Sequence, residues 1–169
     1  MDNRPALDVA KLLGALNAHG VRFVLIGGIA AQIHDLPVPA TSDVDITPAR
    51  DEENLDRLAK VFEELKAGLL TADDTGTWFP RHPVGNWAQY DTLHLVTQHG
   101  LLDVVFTPDG TTRGFDDLVS ESVEGKFDAV SFLMISIEQW IHLKSASGRA
   151  KDLEHLARYY KSQKKKDGS

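Results

Sequence analysis

The stretch FVLIGGIAAQIHDL, from Phe23 to Leu36, constrains this chain more than any other. Val21 to Ile26 is a short apolar, β-branched run and reads as a buried strand. Gly27-Gly28 turns it directly into a short helix, which must end before Pro37 and Pro39. Two glycines between a strand and a helix let bare backbone N–H groups approach an anion, with the helix dipole behind them. An ordinary left-handed turn fits the same pair. Asp43 to Thr47 then reads as a second strand. Side chains at i and i+2 of a strand share a face, so Asp43 and Asp45 point together and Val44 and Ile46 point away.

Two carboxylates on one sheet face repel each other and are costly to bury without a counter-charge. A hard divalent cation resolves this, because Mg²⁺ takes one or two carboxylates together with substrate phosphates. A wet polar face on an edge strand also accounts for the pair, and acidic pairs on strands are common. Asp103 adds a third acid inside the apolar run LLDVVF, where an unpartnered carboxylate is expensive. It reads as a third ligand, as a satisfied buried acid or as an edge position.

The rest of the chain is α/β in composition. Val9, Leu12, Leu13 and Leu16 recur at helical spacing and Gly20 follows as a stop. Thr47-Pro48 reads as a helix start, with Thr as cap and Pro first, before a stripe of Leu55, Leu58, Ala59, Phe62 and Leu65. Thr71 to Tyr90 reads as loop with one edge strand. Thr92 to Val96 and Leu101 to Phe106 read as strands joined through Gln98-His99-Gly100, and Ala129 to Met134 as another. Phe115 to Val119 reads as a short helix, and two closing helices, Ile137 to Ser145 and Arg149 to Lys161, flank Gly148. A mixed central sheet flanked by helices follows, in a single domain over residues 1–169 with a flexible tail from about 162.

Composition excludes several classes. With no cysteine there are no disulfides, thiolate metal sites or Cys nucleophiles, which fits a cytoplasmic setting. The acidic N-terminus does not read as a signal peptide, and no apolar stretch reaches the roughly 18 residues of a membrane span. A net charge of −7 argues against a broad cationic surface for nucleic acid. The seven histidines form no zinc-binding spacing, and His34 and His142 read as packing or surface residues. Trp78, Arg81, His82 and Trp87 fit either stacking on a substrate ring or a hydrophobic lid over the sheet.

The C-terminal helices carry the basic residues of interest. Ile137, Trp140, Ile141 and Lys144 share one helical face, so Lys144 emerges at the edge of an apolar contact. Arg149 and Lys151 open the next helix. There Asp152 suits the macrodipole and can hold either cation in place. An ion-paired helix start explains these residues as well as phosphate contacts do.

Taken together, Gly27-Gly28, the run Thr41-Ser42-Asp43-Val44-Asp45-Ile46 and the strand acid Asp103 resemble the DNA polymerase β-type nucleotidyltransferase superfamily. The run from Leu143 to Leu153, with Lys144, Arg149, Lys151 and Asp152, resembles the Lys-x4-Arg-x-Lys-Asp signature of its abortive-infection-type branch, which contains toxins of toxin–antitoxin pairs. Pro39 stands where such sequences often carry Arg, and His155 where they tend to carry an acid.

The resemblance implies a nucleotidyltransferase fold and transfer of a nucleoside monophosphate from an NTP to a hydroxyl acceptor. It implies that Asp43, Asp45 and Asp103 hold two Mg²⁺ ions, with Mn²⁺ as a substitute. Gly27, Gly28, Thr41, Ser42, Lys144, Arg149 and Lys151 would then contact the nucleotide, supported by Asp152. It leaves tRNA, a protein or a small molecule such as an antibiotic as acceptor, and an antitoxin as partner. A non-catalytic binding or regulatory module on the same fold is the alternative.

Overall fold

The computed structural model describes residues 4–72, 78–81 and 87–168. Helix α1 (Val9–Ala18) is capped by Asp8, whose carboxylate accepts the Lys11 N–H, and it buries Val9, Leu12, Leu13 and Leu16. Strand β1 (Phe23–Ile26) is buried at all four positions, as an apolar run in a sheet covered on both faces must be. Helix α2 (Gly27–Ile33) begins on the first glycine itself. Strand β2 (Asp43–Pro48) follows, with Val44 and Ile46 fully buried and Asp43 and Asp45 half-buried, which is the alternation expected from the sequence.

The expected helix start at Thr47-Pro48 is corrected. Both residues belong to β2, pairing with Val24 and Phe23 of β1. Pro48 is tolerated because it closes the strand, where its missing N–H is not needed. Helix α3 (Glu52–Glu64) is instead capped by Asp51, which accepts the Asn54 N–H at 3.0 Å, with Glu52 and Glu53 in the first turn favoured by the dipole. Asn54 is fully buried yet satisfied: its amide donates to the carbonyls of Ala49 and Arg22 and accepts the Arg22 N–H. Along this helix Leu58, Val61 and Phe62 are buried, whereas Ala59, expected in the stripe, is exposed.

The remaining elements are β3 (Gly68–Ala72), β4 (Trp78–Arg81), β5 (Thr92–Thr97), β6 (Gly100–Val105), α4 (Phe115–Leu118), β7 (Val123–Phe127), β8 (Val130–Met134), α5 (Ile137–Ser147) and α6 (Ala150–Asp167). The strands form one mixed eight-stranded sheet in the order β4-β3-β5-β6-β2-β1-β8-β7, so the expected α/β architecture is the one observed. Among the described residues, only the β1–β8 and β2–β6 pairings are parallel. They bring residues 43–48 beside residues 100–105 at the centre of the sheet, far from either edge.

Where a loop with one edge strand was expected, β4 is that edge strand, β3 lies beside it, and Trp87–Gln89 form a 3₁₀ turn. His82 lies outside the described residues. Trp87 packs between Phe62 and Phe106, with ring centroids 5.1 and 6.3 Å away. Residues from 162, expected as a loose tail, continue α6 as far as Asp167. Among the described residues no helix is long and apolar enough to cross a membrane.

Candidate active site

Strand register builds the acidic floor. Asp45 of β2 is the direct partner of Asp103 of β6, and Asp103 is the direct partner of His94 of β5. Asp43 lies two residues before Asp45 on the same face. Each of the three aspartates offers an oxygen, and these atoms lie within 4.8 Å of one another. Thr41 fixes Asp43 by donating its hydroxyl to Oδ1 at 2.6 Å.

The two glycines are required by this floor. Gly27 has φ +72°, and a Cβ there would overlap the Asp45 carboxylate. A Cβ on Gly28 would come 2.8 Å from Thr41 Cβ. The turn therefore packs directly on the Asp-x-Asp strand and on the threonine that orients it. Gly27 also lines a cavity of about 460 Å³, with Asp45 and Asp103 beside it.

The facing wall of that cavity is α5 with the start of α6, which contribute Trp140, Leu143, Lys144, Ser147, Arg149 and Asp152. Ser136 starts α5 with a capping box completed by Gln139, and Gly148 ends it in the left-handed region expected at that position. Asp152 is buried at 2% exposure and organises the basic groups. Its Oδ1 accepts Lys144 Nζ at 2.7 Å, and its Oδ2 accepts Arg149 Nε at 2.9 Å together with the Ser147 hydroxyl. Burial would raise this carboxyl, but hydrogen bonds from Lys144, Ser147 and Arg149 outweigh it and hold the pKa at about 2. Lys144 also donates to His155 Nδ1 at 3.2 Å, and burial followed by the lysine charge lowers the pKa of that histidine. His155, standing where an acid was expected, thus serves as an acceptor for the lysine.

On the floor the carboxyls are pushed the other way. Burial, then the charges of Asp43 and Asp103, raise Asp45 to about 8, with Lys144 opposing. Asp103 is raised by burial and by Asp43, against the hydrogen bond from His94. Three converging acids, two of which resist ionisation, fit a divalent cation with oxygen ligands.

The sequence-predicted residues divide accordingly. Asp43, Asp45 and Asp103 converge, and Gly27, Lys144, Arg149 and Asp152 line the same cavity. Gly28 and Thr41 brace the floor from behind. Ser42 and Lys151 are exposed and do not line the cavity. Asp152 pairs with Arg149 and Lys144 rather than with Lys151. His34 and His142 each donate to a backbone carbonyl, those of Ile135 and Gly110, as packing histidines do. His94 went unnoticed among the scattered histidines. Its signal was its place in Leu93-His94-Leu95, opposite Asp103 once the hairpin register about Gln98–Gly100 is drawn.

No family model and no curated protein matches the sequence. Solved structures do. A protein of Thermotoga maritima provisionally assigned as a nucleotidyltransferase superposes with a TM-score of 0.55 at 17% identity, covering 91% of each chain. The antibiotic-resistance factor ANT(2'')-Ia matches in solution with a TM-score of 0.53 at 15% identity, over 92% of this chain and 82% of that one. Its crystal complex with adenylyl-2''-tobramycin matches with a TM-score of 0.53 at 16% identity, over 90% and 83%. This chain has the nucleotidyltransferase fold. Within that fold its three carboxylates lie on central strands, and its basic wall comes from the last two helices.

Proposed function

We propose that this chain is a metal-dependent nucleotidyltransferase that moves a nucleoside monophosphate from an NTP to a hydroxyl acceptor. The observation that carries the reading is the convergence of Asp43, Asp45 and Asp103, the last two of which line a cavity that Lys144 and Arg149 also line. Asp43, Asp45 and Asp103 are the residues to hold Mg²⁺ or Mn²⁺. Bound ions would lower the pKa of the acceptor hydroxyl and offset the charge of the triphosphate.

The chain's own groups do the rest. Gly27 and Gly28 permit close approach of the phosphates to the backbone. Lys144 and Arg149, held by Asp152, balance the charge that moves onto pyrophosphate as the bond between the α-phosphorus and its bridging oxygen breaks. Asp103 assists loss of the acceptor proton as the hydroxyl oxygen attacks that phosphorus. Thr41 serves through Asp43, and Ser42 and Lys151 are left to contact parts of the substrate outside the cavity.

Two acceptor classes have specific support. The Lys144-to-Asp152 segment favours a toxin-type enzyme of the cytoplasm, acting on tRNA or protein and held by an antitoxin. The complex of ANT(2'')-Ia with an adenylylated antibiotic favours a small hydroxylated molecule. Incubation with each labelled NTP, Mg²⁺ and cell extract separates them by the size of the labelled product. Loss of label transfer in Asp43→Ala is expected. Absence of both transfer and metal-dependent NTP binding in the parent would make the chain a binding module. Growth arrest on expression, relieved by Asp45→Ala, would mark the toxin class.

A further inference from the structure

Asp45, Asp103 and His94 form a row across β2, β6 and β5, each the register partner of the next. His94 closes the row, and its Nδ1 lies 3.0 Å from Asp103 Oδ1. A carboxylate only accepts, so this ring nitrogen carries the proton and donates, as it does in the imidazolium too. The His94 side chain is 63% exposed and lines the cavity, while that of Asp103 is 15% exposed. Its neighbours Leu93 and Leu95 are the ones buried in the core, so packing does not call for a histidine at position 94. What the residue adds is a hydrogen bond to one oxygen of Asp103. That bond favours the ionised carboxylate, against the burial and the Asp43 charge that disfavour it.

We propose that His94 is a positioning residue of this site: its Nδ1–H holds Asp103 in the orientation in which the three carboxylates converge on a divalent cation. The proposal rests on reading the site as a metal-dependent nucleotidyl-transfer centre. Partners that orient metal-binding side chains typically govern metal affinity by about 10- to 100-fold.

The test is Mn²⁺ binding by titration calorimetry to the full chain, comparing wild type with Asp103→Ala, His94→Ala and His94→Asn. The asparagine amide nitrogen sits close to the place of Nδ1 and keeps a donor there. His94→Ala is expected to weaken Mn²⁺ binding about 10-fold or more, with the metal-free melting temperature unchanged. His94→Asn should regain most of the affinity. In the transfer assay kcat should fall in His94→Ala while KM for the NTP stays. Equal Mn²⁺ affinity in wild type and His94→Ala would overturn the proposal and leave the site reading intact, as would a His94→Asn as weak as the alanine variant. A wild-type chain that binds no Mn²⁺ would remove the site reading and the proposal together.

Discussion

At the scale of single residues the site is governed by a conflict of charges. Burial, then Asp43 and Asp103, raise the Asp45 carboxyl to about 8 against the opposing charge of Lys144, so at neutral pH folding the metal-free protein requires protonating a group that is ionised in the unfolded chain. Asp45→Asn should therefore stabilise the metal-free protein by about 2 kcal/mol. Mg²⁺ at a hundredfold its Kd should add about 2.7 kcal/mol to wild type and little to the variant. Melting curves with EDTA and with Mg²⁺ read both effects. Gly27→Ala places a methyl on the Asp45 carboxylate and strains a positive φ, so transfer and metal binding should both be lost. Asp152 behaves oppositely to the floor. Its folded pKa of about 2 lies below the ordinary value of roughly 3.9, so its ionised form stabilises the fold above about pH 4 and that gain disappears as pH falls toward 2. Asp152→Asn should cost about 2 kcal/mol at neutral pH. Denaturant titrations should find the gap to wild type closing near pH 2.

At the scale of elements, the sequence is legible where burial demands a pattern. The four-residue apolar β1, the alternation of β2 and the glycine stop of α5 could all be read directly. Strand β7 could not, because an edge strand has little to bury: Val123, Glu124 and Lys126 are exposed and only Gly125 is buried. Gly125 packs tightly there, since a Cβ would come 2.7 Å from Met134 Sδ. Thr47 misled for a different reason. Its hydroxyl suggested a cap, yet it is fully buried in β2 and, among the described residues, has no hydrogen-bond partner. Replacing it by the isosteric valine removes that unsatisfied group, so Thr47→Val should raise stability by about 1 kcal/mol. A rise of roughly 2–4 °C in melting temperature would register it. The acids of the site were legible as residue types in strands. Their meeting came only from the family resemblance and not from local pattern, because it depends on the parallel β2–β6 register between segments more than fifty residues apart.

At the scale of the whole molecule, charge is unevenly shared. Residues 149–169 hold seven of the 18 basic side chains and three of the 25 acidic ones, against the net −7 of the chain. Helix α6 is tied to the body through Asp152 near its start and through Tyr159 at its middle, whose ring meets Trp140 edge-on at 5.9 Å. Residues 164–168 are exposed. Deleting 164–169 should leave the melting temperature within about 2 °C of the parent, as differential scanning calorimetry would record.

The placement of the two walls of the cavity also has a consequence for synthesis. The acidic floor is encoded between Asp43 and Asp103 and emerges from the ribosome earlier than Lys144, Arg149 and Asp152. The carboxylates are therefore synthesised before the cations that share their cavity in the finished molecule, and any folding of residues 43–103 in that interval proceeds without them.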